Sequence, residues 1–152
     1  MSYARSVLQP GEAIVMEGRL HWIGYMPAVV IAALGVALMA IENLAEVDRT
    51  VILLSGGVAF ALAAASFARA WFRRWITEFV VTDRRVIYKT GFISRHTSEM
   101  NMDKIESVNV DQGLLGRMLD YGTIHVLGTG QGLEHLHRIA SPLQLRNAIT
   151  AR

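Results

Sequence analysis

Two stretches of the chain carry no Asp, Glu, Lys, Arg or His, and the residues beyond the second alternate between apolar and polar. The first, WIGYMPAVVIAALGVALMAI, runs for 20 residues from Trp22 to Ile41. The second, VILLSGGVAFALAAASFA, runs for 18 residues from Val51 to Ala68. A hydrocarbon core ~30 Å thick needs about 20 helical residues at ~1.5 Å rise each. Each run therefore predicts a bilayer-spanning helix. The second extends through Arg69, Ala70, Trp71 and Phe72, which gives spans over 22–41 and 51–72 with a loop over 42–50. Trp22 and Tyr25 at one end and Trp71 at the other put amphipathic rings at interface level, and Arg69 can snorkel to headgroups. Pro27 falls about one turn inside the first span, where the missing N–H costs little. The alternatives are the core helix of a soluble protein and a cleaved signal peptide. A signal peptide fits the first run poorly, because a polar segment with Gly11, Glu12 and Glu17 precedes it in place of a short basic start.

From Trp75 onward the period shifts to two. ITEFVVT and RRVIYKTG predict a hairpin about Thr82-Asp83-Arg84. FISRHTSEM gives a third strand and Ile105, Val108 and Val110 mark a fourth. LLGRMLDYG is a short helical or irregular piece, TIHVLGT a fifth strand, and LEHLHRIA a sixth beyond a glycine-rich loop at Gly128–Gly132. SPLQLRNAITAR predicts a final helix with Ser141 as N-cap and Pro142 at its first position. Strands followed by one terminal helix suggest a small sandwich or partly open barrel plugged by that helix. The fold class is then an α+β membrane protein, in which a two-helix transmembrane hairpin is joined to a small all-β domain. The division is 1–21, 22–72 and 75–152. Segment Glu12–Leu20 can cover an exposed sheet edge as a further strand.

Charge sets the orientation. The loop 42–50 carries Glu42, Glu46 and Asp48 against Arg49, whereas Arg5 and Arg19 precede the first span and Arg69, Arg73 and Arg74 follow the second. The positive-inside rule puts both termini in the cytoplasm and the loop outside. From Arg69 to the end, ten Arg and two Lys face eight acids, which makes this part basic. Arg73, Arg74, Arg84, Arg85, Lys89 and Arg95 are candidates for contact with anionic headgroups or a partner. The plainer account of the same residues is a topology signal plus ordinary strand-surface arginines. Gly57, Ala61 and Ala65 on the second span, and Ala33 with Ala37 on the first, recur every four positions and predict the faces along which the helices approach. Small residues are also simply common in spans.

Other chemistry is thinly represented. The chain has no cysteine, so disulfides, thiolate metal sites and cysteine nucleophiles are excluded. His135 and His137 share a strand face without a third ligand near in sequence. Gly128, Gly130 and Gly132 precede a strand rather than the helix that a phosphate loop requires. Asp103, Glu106 and Asp111 form no acid–base pair, and Ser98, Ser107 and Ser141 lack a nucleophile context. No ionisable group lies within either span to carry ions or protons. No metal, cofactor, nucleic acid or small-molecule substrate is expected.

Several strings carry a resemblance: Thr82-Asp83-Arg84-Arg85, Gly91, Ile105-Glu106-Ser107-Val108, Gly113-Leu114-Leu115-Gly116-Arg117 and Tyr121-Gly122. Upstream stand Pro10-Gly11-Glu12 and Arg19-Leu20-His21-Trp22. Together they resemble the bacterial pleckstrin-homology domain of YdbS-like membrane proteins. The resemblance implies a pleckstrin-homology-like roll of two packed antiparallel sheets closed by a C-terminal helix, with no enzymatic activity. It implies an interaction module that helps assemble or stabilise a protein complex at the bacterial inner membrane, by partner binding or self-association. The alternative is peripheral sensing of anionic lipid headgroups by the basic face. Lys89 and Arg95 flank a turn, but Thr90-Gly91-Phe92-Ile93-Ser94 between them has no further basic group, unlike a phosphoinositide site.

Overall fold

The computed structural model describes residues 6–91, 96–129 and 136–151, and resolves them into two compact units. One is Trp22–Arg73; the other joins the N-terminal segment to everything from Arg74 onward. The predicted positions of Arg5, Arg95, Gly130, Gly132 and His135 lie outside the described residues.

The Trp22–Arg73 unit is a helical hairpin. A 3-10 turn over Trp22–Tyr25 leads into α1 (Met26–Leu44), and α2 spans Arg49–Ile76. Asp48 caps α2: its carboxylate accepts the Thr50 N–H at 2.7 Å and its carbonyl the Val51 N–H at 2.9 Å. The connection is therefore shorter than the expected 42–50, because α1 continues past Ile41 through Glu42. That carboxylate does not end the helix, since it accepts the Ser55 hydroxyl of α2 at 2.7 Å. Toward the other end Tyr25 stacks on Phe67, centroids 5.0 Å apart.

The two helices meet along small residues, but not the expected ones. Ala28, Gly35 and Ala63 are the buried positions. A Cβ on Gly35 would stand 2.5 Å from that of Ala59, and one on Gly56 the same distance from the Met39 sulfur. Ala33, Ala37, Gly57, Ala61 and Ala65 are all exposed, and a Cβ on Gly57 would meet nothing within 4 Å. At ~3.6 residues per turn, positions two from Gly35 fall on the opposite side of α1, and Gly57 is rotated about 100° from Gly56. The contact thus runs along Gly35, Met39, Gly56, Ala59 and Ala63, and the predicted stripes face outward.

The second unit is a two-sheet roll. β1 (Ile14–Gly18), β2 (Glu78–Thr82), β3 (Arg85–Thr90) and β4 (His96–Asn101) make one antiparallel sheet in that order. β5 (Ile105–Asp111), β6 (Tyr121–Gly128) and β7 (Leu136–Ala140) make the other. Alternation sends Phe79, Val81, Val86 and Tyr88 from the first sheet, and Ile124 and Val126 from the second, into one core. Leu136 and Ile139 of β7 both reach that core although three positions apart. The left-handed Arg138 between them (φ 57°) breaks the alternation. A short helix, α3 (Leu114–Met118), links β5 to β6. The terminal helix α4 (Pro142–Thr150) closes the core with Leu145 and Ile149. Ser141 is its N-cap residue, with Pro142 next as expected, but its hydroxyl does not cap. It donates to Asp120 at 2.6 Å, tying the helix start to the segment before β6.

The N-terminal segment holds both sheets. β1 pairs with β2 from Ile14↔Thr82 to Gly18↔Phe79. The chain then crosses to β7, where Leu20 bridges Ile139, the Ala140 N–H donates to the Arg19 carbonyl at 2.9 Å, and the His21 N–H donates to the Arg138 carbonyl at 2.7 Å. One segment thus covers the edges of β2 and β7, which would otherwise expose unpaired backbone groups.

Candidate interaction surface

The roll is assembled by residues 70 and more positions apart, and this determines which arginines remain available. Pro10-Gly11 forms a tight turn: the Glu12 N–H donates to the Gln9 carbonyl at 3.0 Å, and Gly11 has φ 78°. Proline next to a residue at positive φ is the signature of a type II turn, where glycine adopts the third position without strain. The turn delivers Glu12 into the roll, where its side chain is fully buried against Arg85. Arg85 grips it with two prongs: Nε donates to Oε1 and Nη2 to Oε2, both at 2.9 Å. Thr82 Oγ1 donates to Glu12 Oε1 at 2.7 Å and the Gln9 N–H to Oε2 at 2.8 Å. Burial alone pushes the Glu12 carboxyl up, but these hydrogen bonds and the Arg85 charge outweigh it and hold the pKa at about 2. The Arg85 pKa is raised, first by its hydrogen bond to Glu12. Its remaining donors go to Glu99 Oε2 at 2.8 Å and the Val7 carbonyl at 2.7 Å.

Arg85 therefore binds the domain to its own N-terminal segment, a correction to its place among surface contact residues. The sequence presents Pro10-Gly11-Glu12 and Thr82-Asp83-Arg84-Arg85 as separate strings, and nothing in either announces that they meet. Two further candidates of the roll lie apart on one hairpin. Arg84 lies at the β2–β3 turn with Arg85, whereas Lys89 lies near the far end of β3 and pairs with Glu78 at 3.5 Å. Arg73 belongs to the helical unit, and Arg74 lies near His21, whose pKa it helps lower. Of the candidates described within the roll, Arg85 and Lys89 are thus engaged by acids, and Arg84 and Lys89 stand at opposite ends of β3.

Two features of the roll are open. Among the described residues, β1, β4 and β5 have strand partners on one side only, and α4 also packs against β5. The second feature is α3, which escaped sequence reasoning as a site. Leu114, Leu115 and Met118 are 83%, 66% and 80% exposed. The helix is held by its buried side: the Gln112 side-chain amide (Nε2) donates to the Gly116 carbonyl at 3.3 Å and to that of Tyr121 at 3.1 Å. A Cβ on Gly116 would stand 2.6 Å from the Tyr121 carbonyl oxygen. The apolar run Leu114-Leu115 was the available signal, but a run of this kind reads equally as core.

Among the described residues, no group of three His, Cys, Asp or Glu side chains is placed to hold a metal ion. The arrangement is one of paired sheets, open strand edges and exposed apolar side chains.

A profile of the bacterial PH domain matches residues 23–152, most of the chain. The chain belongs to the bacterial PH domain family. The match begins at Ile23, so β1 and Glu12 precede it, although they complete the PH roll. No curated protein and no solved structure matches the chain. PH-like domains are generally non-catalytic, and the two-sheet roll closed by a helix is the architecture in which this family's residues are arranged here.

Proposed function

We propose that this chain is a membrane-anchored, non-catalytic bacterial PH protein. Its hairpin spans the inner membrane, and its roll stays on the cytoplasmic side to help assemble or stabilise a membrane-associated complex. The observation that carries the anchoring is the outer surface of the hairpin. Leu34, Val36, Leu53, Leu54, Val58 and Phe60 are each between 60% and 76% exposed. Burying one such side chain is worth about 1.5–3 kcal/mol, so an apolar surface repeated around two long helices calls for lipid. With its leading 3-10 turn the first segment, Trp22–Leu44, has 23 residues and α2 has 28, against the ~20 a bilayer requires.

The open outer edges of β4 and β5 support docking of a protein partner, since an extended segment can add to a sheet edge through main-chain hydrogen bonds. A headgroup-sensing role for the basic residues has less support, because Arg85 is engaged by Glu12 and Lys89 by Glu78. The test is photo-crosslinking in native membranes, with the full chain carrying a crosslinker at Asn109 of β5 or, as control, at Arg146 of α4. A discrete protein adduct at Asn109 and none at Arg146 is the expected result. Absence of any protein adduct along β4 and β5 would overturn the docking role.

A further inference from the structure

We infer that the exposed face of α3 is a second membrane contact, a shallow apolar foot by which the roll rests in the lipid interface. The inference relies on the proposed spanning of the hairpin and adds where the roll touches the bilayer. Three observations lead to it, all within the roll.

First, α3 presents Leu114, Leu115 and Met118 outward, with Leu119 just beyond at 38% exposure, while only Gly116 is buried. Second, the chain leaves the roll at α3. His21 is the last residue of this unit before the apolar run. Its ring is 5.2 Å from that of Tyr121, stacked, and it is hydrogen-bonded to the backbone of Leu119, which caps α3. Trp22 is the next residue. The apolar run therefore begins one residue, ~3.8 Å of chain, after a side chain held at the end of α3. Third, Arg117 of α3, Arg19 and Arg138 are exposed at this same end of the roll. Two acids share that end with the three arginines: Asp120, which accepts the Ser141 hydroxyl, and Asp111, 3.0 Å from His125 Nε2.

Apolar side chains flanked by arginines, tied through His21 to the start of the apolar run, match the interfacial mode in which a helix sinks its apolar face ~5–10 Å into the headgroup–acyl boundary. The arginines would meet anionic headgroups while the leucines pass below them. Lys104 precedes β5 and thus occupies the opposite end of that sheet, about 20 Å away at ~3.3 Å per strand residue.

The experiment uses the full chain, which has no cysteine of its own, in phosphatidylcholine–phosphatidylglycerol vesicles doped with nitroxide-labelled lipid. An environment-sensitive dye is attached at Leu115→Cys, at Lys104→Cys, or within the hairpin at Ala37→Cys. Strong lipid quenching at positions 115 and 37, with little at 104, is expected. The nitroxide near the headgroups should quench position 115 more than one deep in the acyl region. Adding Leu114→Ser and Met118→Ser should weaken quenching at 115, and no change would mean that the dye alone enters the lipid, which overturns the inference. Quenching at 37 without quenching at 115 overturns this inference and leaves the anchor standing. No quenching at 37 removes both. A dye at 115 that is shielded from aqueous iodide yet not quenched by lipid points to a protein cover, and also overturns it.

Discussion

Glu12 and Arg85 show how a pair of side chains holds a discontinuous domain together. Two prongs of Arg85 on a fully buried carboxylate leave no water to replace either partner. Removing one side of a buried pair typically costs about 3–5 kcal/mol, because the remaining charge is left unmatched. Glu12→Ala should therefore lower roll stability by that amount, as read from thermal or denaturant unfolding in detergent, and a loss under about 1 kcal/mol would contradict the assigned role. The same carboxyl gives a pH dependence. Its ordinary value is 4.5 and its folded value about 2, so the folded chain binds the proton less readily than the unfolded one. The resulting stability is complete above pH 4.5 and is lost as pH falls to about 2, a change of about 3 kcal/mol. In Glu12→Ala this part of the acid slope should disappear. His21 acts at higher pH: burial lowers its pKa from 6.5, aided by Arg74 and opposed by Asp120 and the Leu119 hydrogen bond. Its contribution is present above pH 6.5 and declines as pH falls below it.

At the scale of elements, the strands were legible and the contacts between helices were not. Phe79-Val80-Val81 and Val86-Ile87-Tyr88 are short apolar runs bounded by a turn, which marks them as strands, although Val80 and Ile87 are buried too and it is packing that sends Phe79, Val81, Val86 and Tyr88 into the shared core. α1 and α2 have small residues on more than one face, and mutual fit selects between them. Ala33 and Ala37 were as plausible by composition as Gly35, and Gly57 as plausible as Gly56, yet only Gly35 and Gly56 meet the opposite helix. Gly35→Leu should therefore separate the helices and weaken the hairpin, while Gly57→Leu should leave it intact. Crosslinking by a short thiol reagent between cysteines at Glu42 and Ser55, whose side chains meet across the hairpin, would report both. Equal loss in the two variants would contradict the assigned face. β1 permits a parallel test. Deleting residues 1–18 removes the β2 edge partner and leaves Arg85 without Glu12, so the truncated chain should unfold at clearly lower temperature in detergent. An unchanged transition would show that the segment is dispensable. That this segment covers a sheet edge was readable, but its choice of β2, its bridge to β7 and the Glu12–Arg85 contact link positions with no common pattern in the sequence.

For the whole molecule, the order of the chain is the main constraint. A segment of the roll comes first, the hairpin next, and the remainder of the roll closes around that first segment. Both ends of the hairpin are consequently tied to one domain, His21 by its bonds to β7 and α3, and Glu78 as the first residue of β2. Such an insertion places both ends of the hairpin on the same side of any membrane it enters. In the proposed reading that side is the cytoplasm, because the flanking arginines follow the positive-inside rule. Single cysteines test this most directly. The account predicts that Ala45→Cys, between α1 and α2, is labelled in intact cells with a permeabilised outer envelope by a membrane-impermeant maleimide, whereas Lys104→Cys in the roll is labelled only after lysis. Labelling of Lys104→Cys in intact cells with Ala45→Cys protected, or recovery of the unlabelled chain in the soluble fraction, would contradict it.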